Sequence, residues 1–478
     1  MRRAPGKVLP AALLASLWTV AALALGCAAV PWAPTAGDVP ATPSTRWPVP
    51  PELAQPLPAE APPEAPPKDV NLAKLIDYVL AHNPSTKVAW AQARAAAAAL
   101  GARRAAYYPS FDLTGQIGYT KQSGGGRVAF EGKTVGPSVT LSWLLLDLGG
   151  RSGDVGEARS LLDAANLAQD AAILQTLFEV EQAYYGFLSS KALLRAQAAT
   201  VEDAQKNYDA AEARRAAGVA TIADVLQAQT QRSQAELNLQ SAQGQVEIAR
   251  GGLASAAGLP PTTAFQLPEL PDTLPLEQTQ AQVDALLAAA QAQRPDLARA
   301  RALVAAAQHH ETSVGAQALP QLALTGSAGR TFYLGSSADP GDAYSIQAVL
   351  KFPLFDGFKS RYDTEQAQAE TQVAQAQVEG LARQVALEVW SSYQSAQTAA
   401  KRVKAARDLL ASATQSEQVA QGRYHEGAGS VLDLLSAQSA LASARAQDVQ
   451  ARADWLVAMA ALARDTGTLD VAPQGDGR

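Results

Sequence analysis

The fold class that the sequence predicts is a membrane β-barrel carried on long α-helices, with the arrangement written twice into one chain. Three observations predict it. The two halves of the 478-residue chain match at a near-constant displacement. Each half holds two segments in which apolar and polar residues alternate with period two. Each half also holds a stretch of about sixty residues with no Pro and little Gly in its interior.

Composition narrows the field before any element is placed. Hydrophobic residues make up 47% of the chain but aromatics only 6%, so much of the apolar fraction is alanine. Alanine and glutamine runs favour helices that pack closely rather than a thick core. Lys and Arg number 39 against 45 Asp and Glu, a net charge of −6, which argues against a nucleic-acid partner. A single cysteine, Cys27, excludes an internal disulfide framework and any Cys-based zinc site. The four histidines, His82, His309, His310 and His425, carry no metal-binding pattern, and no cofactor is expected. A mean hydropathy of −0.07 excludes a polytopic helical membrane protein but leaves a β-barrel open, because its strands are weak signals individually.

At the start of the chain, Arg2, Arg3 and Lys7 precede an apolar run from Val8 to Leu25, the layout of a secretory signal peptide over residues 1–26. The ending Leu25-Gly26-Cys27 resembles a bacterial lipobox, which implies cleavage before Cys27 and lipid attachment to it. Ala28 in the next position implies, by the same resemblance, an outer-membrane destination. The plainer reading is a signal peptide with an incidental cysteine. From Pro31 to Pro67 the chain is rich in proline, so residues 27–70 read as an anchor and an extended tether.

The duplication organises the rest. Asn83-Pro84 recurs as Arg294-Pro295 and Tyr108-Pro109 as Leu319-Pro320, both displaced by 211 positions. Asp147 then matches Asp356, and Gly218-Val-Ala-Thr221-Ile-Ala-Asp224 matches Gly427-Ala-Gly-Ser430-Val-Leu-Asp433, displaced by 209. The repeats run over 71–259 and 282–468, with a connector at 260–281 and a tail at 469–478. Each repeat opens with a helix, Leu72 to about Tyr107 and Val283 to about Ala318, ended by a proline. Two strands follow around a polar, glycine-rich loop whose first copy has its tip at Gly124-Gly125-Gly126. Phe111, Leu113, Ile117 and Tyr119 alternate with Asp112, Thr114 and Gln116, and Val139, Leu141 and Trp143 with Ser138, Thr140 and Ser142. Such alternation suits a transmembrane strand, and equally an amphipathic hairpin on a soluble core. Four strands cannot close a barrel, so strands that span a bilayer require several chains to share one.

After each hairpin comes a long helix, about Asp154–Ala216 and Arg361–Tyr424, then a glycine turn and a return helix, about Ile222–Ala257 and Val431–Arg464. Ile173, Leu177, Val180, Ala183, Tyr184 and Leu188 form a modest apolar stripe, which implies lateral neighbours. Thr221 and Ser430 stand three residues before Asp224 and Asp433, the spacing of a capping box.

The duplicated helix–hairpin–helical-hairpin plan, the segments Asp147-Leu-Gly-Gly-Arg151 and Asp356-Gly-Phe-Lys-Ser-Arg361, and the two Gly-x-x-Thr/Ser-x-x-Asp turns resemble the TolC-like outer membrane efflux family, and the lipobox its lipoprotein branch. The resemblance covers about residues 71–468. It implies a homotrimer whose twelve strands form one barrel in the outer membrane and whose helices form a periplasmic tunnel. It further implies a passive exit duct, not an enzyme, that works with a periplasmic adaptor and an inner-membrane pump of the resistance-nodulation-division type. By the resemblance Asp433 matches an aperture-ring aspartate, Asp224 and Tyr424 match closing contacts, and the turns at Gly218, Val219, Thr221, Gly427 and Ser430 dock the adaptor. The family arginine of the second turn is Gly429 here, and a second acidic position is Ser436, so the closing network is weaker or built differently. No catalytic or metal-ligating constellation is expected. The competing reading is a periplasmic coiled-coil lipoprotein, a scaffold or adaptor without a transmembrane barrel.

Overall fold

The computed structural model describes Ser44 and residues 71–124, 127–277, 282–334 and 339–469. The chain divides into two compact units, 1–64 and 65–478, and every element below belongs to the second. Cys27, the signal peptide and the tether lie outside the described residues, as do Gly125, Gly126 and the tail beyond Leu469.

Each repeat opens with two helices rather than the single one expected. Helix α1 (Leu72–His82) stops at Asn83, and α2 (Pro84–Arg104) starts at the next residue. The Asn83 side chain accepts from the Ser85 N–H at 2.8 Å and donates to the Ala256 carbonyl at 3.1 Å. Proline fits the first helical position because the N–H it lacks would have no intrahelical partner. In the second repeat α5 (Val283–Gln293) and α6 (Pro295–Ala316) break in the same way at Arg294. With α3 (Gly150–Ala216), α4 (Ile222–Ala256), α7 (Lys359–His425) and α8 (Val431–Thr466) the helical set is complete among the described residues. The 67 residues of α3 and of α7 extend about 100 Å each.

The strands are β1 (Ser110–Gly124), β2 (Arg127–Leu146), β3 (Gln321–Leu334) and β4 (Gly341–Lys351), antiparallel in the order β1-β2-β3-β4. In the first hairpin, residues expected in the loop are strand: Lys121 pairs with Glu131, and Lys133 pairs with Tyr119 of the expected first strand. Polar side chains do not end a strand whose other face is the apolar one, so pairing runs almost to the tip. Register puts Phe111 opposite Leu141, Leu113 opposite Val139, Leu141 opposite Gly326 and Gly326 opposite Ile346. One face is therefore an apolar band. The other carries Thr114, whose hydroxyl meets that of Ser138 at 2.8 Å, and Ser327, 3.0 Å from Ser345.

Among the described residues no helix packs across either face, and the short 3₁₀ turn at Ala105–Tyr107 lies beside β2. Leu113 and Ile117 are each 77% exposed and Ile346 73%. An amphipathic hairpin on a soluble core would bury that face, whereas a lipid-facing strand leaves it open. The shortest strand, 11 residues, spans roughly 28 Å at a tilt of about 40°, enough for a bilayer's apolar band. Among the described residues no helix is long and apolar enough to cross a membrane.

The core lies where the helices cross. Leu75 and Val79 of α1, Val180, Tyr184, Phe187 and Leu188 of α3, Leu253 of α4 and Val449 of α8 form one buried cluster with Leu259 and with Leu267 and Leu270 of the connector. The expected stripe on α3 is thus the side that faces this core. Arginines hold the connector: Arg250 donates to the carbonyls of Thr262 and Thr263, and buried Arg452 pairs with Asp448 at 2.9 Å and Asp272 at 2.6 Å. At the base of the sheet Arg151 donates to the carbonyls of Leu144 (2.6 Å) and Leu145 (3.0 Å), which ties β2 to α3. Arg361, the arginine of the second Asp-to-Arg segment, pairs instead with Glu365 on its own helix.

Candidate channel aperture

The two helical hairpins reverse through the same turn. Gly218 and Gly427 have φ of +78° and +74°, a conformation that costs a side chain more than it costs glycine. The N–H of Val219 bonds the Arg214 carbonyl at 3.0 Å, and that of Ala428 bonds the Arg423 carbonyl at 2.8 Å, so each long helix ends in the same Schellman-type cap. The return helices start in capping boxes. Asp224 N–H bonds Thr221 Oγ1 at 3.3 Å, and Thr221 N–H returns a bond to Asp224 Oδ2 at 2.7 Å. Ser430 and Asp433 repeat the exchange at 3.1 and 3.4 Å. Asp433 stays exposed and Asp224 is half-buried, and each adds negative charge at a helix N-terminus, where the backbone dipole favours it.

Tyr424 is 6% exposed and packs with Val431, Leu434 and Leu435. Asp224 and Tyr424 are not joined by a hydrogen bond: the Tyr424 hydroxyl is buried with no partner among the described residues, and Asp224 is engaged with Thr221. Burial raises the Tyr424 phenol above its usual pKa, against the opposing pull of the Arg214 charge. The contact that does cross between repeats belongs to Arg214, a residue that the sequence pattern did not mark. Its guanidinium lies 4.7 Å from the centre of the Tyr424 ring and donates to the Tyr424 carbonyl at 3.0 Å and the His425 carbonyl at 3.5 Å. A cation there also complements the C-terminus of α7. His425 contributes its carbonyl and stays exposed.

Asp433 shares a cleft between α7 and α8 with Ser416, Val419, Arg423, Gly429 and Ser436. A Cβ at Gly429 would stand 3.1 Å from the Arg423 Cβ, so the glycine lets Arg423 lie over the turn, where it donates to the Ala428 carbonyl at 3.3 Å. The positive charge absent at position 429 is present in the same cleft on Arg423. Further along, Arg445 of α8 pairs with Asp203 of α3 at 3.1 Å. No cluster of metal ligands occurs among the described residues, and His310 pairs with Glu157 at 3.1 Å.

The sequence profile of the family described as outer membrane efflux protein matches the chain twice, over residues 75–259 and 286–468, more than half its length. The chain belongs to that family. Among its relatives, protein CyaE of Bordetella pertussis is 30% identical over 419 residues, which cover 87% of this chain and 85% of CyaE. Outer membrane protein OprJ of Pseudomonas aeruginosa is 26% identical, with 77% of this chain and 78% of OprJ covered. Two solved structures share the fold. The outer membrane protein VceC of Vibrio cholerae superposes with a TM-score of 0.73 at 23% identity, over 83% of this chain and 96% of VceC. The outer membrane channel CmeC of Campylobacter jejuni gives 0.71 at 19%, over 83% and 86%. As an outer membrane efflux protein the chain is a transport duct rather than an enzyme, which sets aside the soluble-scaffold reading. Its sheet accounts for the membrane part and its long helices for the periplasmic part.

Proposed function

We propose that three copies of this chain form the exit duct of a tripartite export system, in which an inner-membrane pump, of the resistance-nodulation-division type, passes substrate through a periplasmic adaptor into the tunnel. The observation that carries this reading is the four-stranded sheet, with an uncovered apolar face and open edges at β1 and β4, in a chain of the outer membrane efflux family. Twelve strands from three chains supply a closed barrel. Cys27 carries lipid and, with the tether to residue 70, fixes the chain to the membrane ahead of repeats 71–259 and 282–468. The adaptor docks on the turns at Gly218, Val219, Thr221, Gly427 and Ser430.

At the narrow end Asp433 rings the aperture, and Asp224 and Tyr424 act in its closure. Three equivalent carboxylates on one axis concentrate cations. The capping box supports this geometry, since it holds the Asp433 carboxylate to one rotamer while leaving it hydrated. The test is conductance of the detergent-purified protein in a planar bilayer. Asp433→Asn and Asp433→Ala should lower cation selectivity and raise resting conductance, whereas values equal to wild type would remove Asp433 from the aperture. Heat-dependent mobility on a gel reports the trimer, and Cys27→Ser should abolish labelling with radioactive fatty acid.

A further inference from the structure

Each repeat joins the end of its return helix to the start of an earlier helix through one bond, and the two repeats build that bond from different residues. In the first, Asn83 donates to the Ala256 carbonyl at 3.1 Å, which sets the end of α4 on the start of α2. Displaced by 211 and 209 positions, the same bond runs from Arg294 to Asp465. The Arg294 guanidinium donates to the Asp465 carbonyl at 3.3 Å, in the last turn of α8 and at the start of α6. Asn83-Pro84-Ser85 has thus become Arg294-Pro295-Asp296.

Arg294 reaches further than an asparagine can. Its Nε and Nη2 donate to the two Asp296 oxygens at 3.0 and 2.6 Å, and Nη1 donates to Glu388 of α7 at 2.6 Å. One guanidinium therefore ties α6, α8 and α7 together. The first repeat has the matching carboxylate, Glu179, held by Gln175 as Glu388 is held by Gln384, each at 2.8 Å. With Asn83 at the junction, Glu179 has no ion pair among the described residues. Apolar packing differs in the opposite sense. Val79, Phe187 and Leu188 are buried in the first repeat, and their counterparts are Ala290, Ala396 and Gln397. Bulk holds the long helix of the first repeat, and charge holds that of the second.

The two fastenings yield differently. Interlocked apolar side chains resist any displacement, since each shift opens a void. The Asp296 and Glu388 side chains are each 33% exposed and border a cavity of about 340 Å³, so water can replace their bonds to Arg294. The other cation of this cavity, Arg464, is engaged with Asp465 at 2.7 Å and lies over the Phe178 ring at 4.3 Å, so it does not stand in for Arg294. We infer that Arg294 is a latch that fixes the angle of the α7–α8 hairpin against α6, and through that angle the resting width of the aperture at Asp433. From Glu388 to Tyr424 is about 54 Å along α7, so a tilt of about 4° at the latch moves the tip by about 4 Å. The inference rests on the aperture reading and adds to it a positioning residue remote from the pore.

The test is conductance of the full-length protein in planar bilayers. Glu388→Gln keeps the side chain's shape, leaves Arg294 on Asp296 and Asp465, and removes only the charged tie to α7. Resting conductance should rise about fivefold, the population shift of one half-hydrated ion pair, with cation selectivity unchanged because Asp433 is intact. Glu179→Gln, the same change in the first repeat, should leave conductance at the wild-type value. Arg294→Lys keeps a charge for Glu388 without the fork and should fall between. Arg294→Asn with Asp296→Ser writes the first repeat's junction into the second and should match Glu388→Gln, since an asparagine before the proline still caps the helix. Wild-type conductance in Glu388→Gln, where Asp433→Asn still changes it, would overturn the latch and leave the aperture reading intact. An equal rise in Glu179→Gln would overturn it too, because loosening either repeat would then suffice. Wild-type conductance in Glu388→Gln and Asp433→Asn alike would overturn the aperture reading, and the latch with it.

Discussion

Arg214, in the last turn of α3, caps the end of α7 and lies over the ring of Tyr424, 210 residues away in sequence. Among the described residues no other hydrogen bond or ion pair joins these two long helices, one from each repeat. A motion that opens the tunnel by moving one hairpin against the other has to break it. Arg214→Ala should therefore loosen the end of α7 by about 1–3 kcal/mol, the range of a charge-assisted hydrogen bond plus a cation–π contact. Faster amide exchange over residues 420–426 in the intact trimer would register the loss. Arg214→Lys should recover only part of it, because an ammonium lacks the planar face. Exchange unchanged in Arg214→Ala would show that packing around Tyr424 holds the tip unaided.

The hydroxyl and the carboxylate of each capping box can be separated by experiment. Thr221→Ala and Ser430→Ala should each cost about 1 kcal/mol at the start of a return helix. Neither removes charge, so cation selectivity should stay at the wild-type value. Asp433→Asn should do the reverse, with a small loss of stability and a clear change in selectivity. A selectivity change in Ser430→Ala as large as that in Asp433→Asn would mean that the turn's conformation, not its charge, governs the aperture.

Glu181 of α3 is half-buried, and burial raises its pKa to about 7. The folded chain therefore retains this proton over a range in which the unfolded chain has released it. Its contribution to stability is full below about pH 4.5 and falls as pH rises towards 7. Glu181→Gln should match wild type near pH 4 and exceed it at pH 8 by roughly 1–3 kcal/mol, allowing for partial hydration of the group. Denaturation midpoints of both proteins at the two pH values decide it, and a constant difference between them would contradict the assignment.

Arg452 neutralises Asp448 within the helix pack and holds Asp272 and the Pro271 carbonyl of the connector. Arg452→Ala leaves Asp448, only 7% exposed, without its charge partner and should cost about 3–5 kcal/mol. The connector should then be cut by protease near residues 260–277 well before the repeats are. Arg452→Ala together with Asp448→Ala removes both charges and should recover much of the stability while leaving the connector sensitive.

Features that repeat, or that are local in sequence, were legible without coordinates. The capping boxes follow from a three-residue spacing, and the hairpins from alternation that the pairing register reproduces. The breaks at Asn83 and Arg294 had a signal too, since the proline that follows each of them starts a helix as readily as it ends one. Strand length was hidden because a strand with one polar face and a Gly-rich tip reads like a loop. Arg214 left no trace in the pattern: its partners are backbone carbonyls in the other repeat, and its own repeat counterpart, Arg423, serves a different turn.

The sheet face opposite the apolar band is furnished with Thr114, Ser138, Thr140, Ser327 and Ser345, short hydroxyls of which Thr114 and Ser138 bond each other, as do Ser327 and Ser345. Such a wall is slippery. It holds water well enough to stay wet, and its charges stand at its base, Asp112 opposite Thr140 and Lys351 opposite Gln321. The last stretch of the route thus works as a chute, and whatever choosing is done has been done before a molecule reaches it.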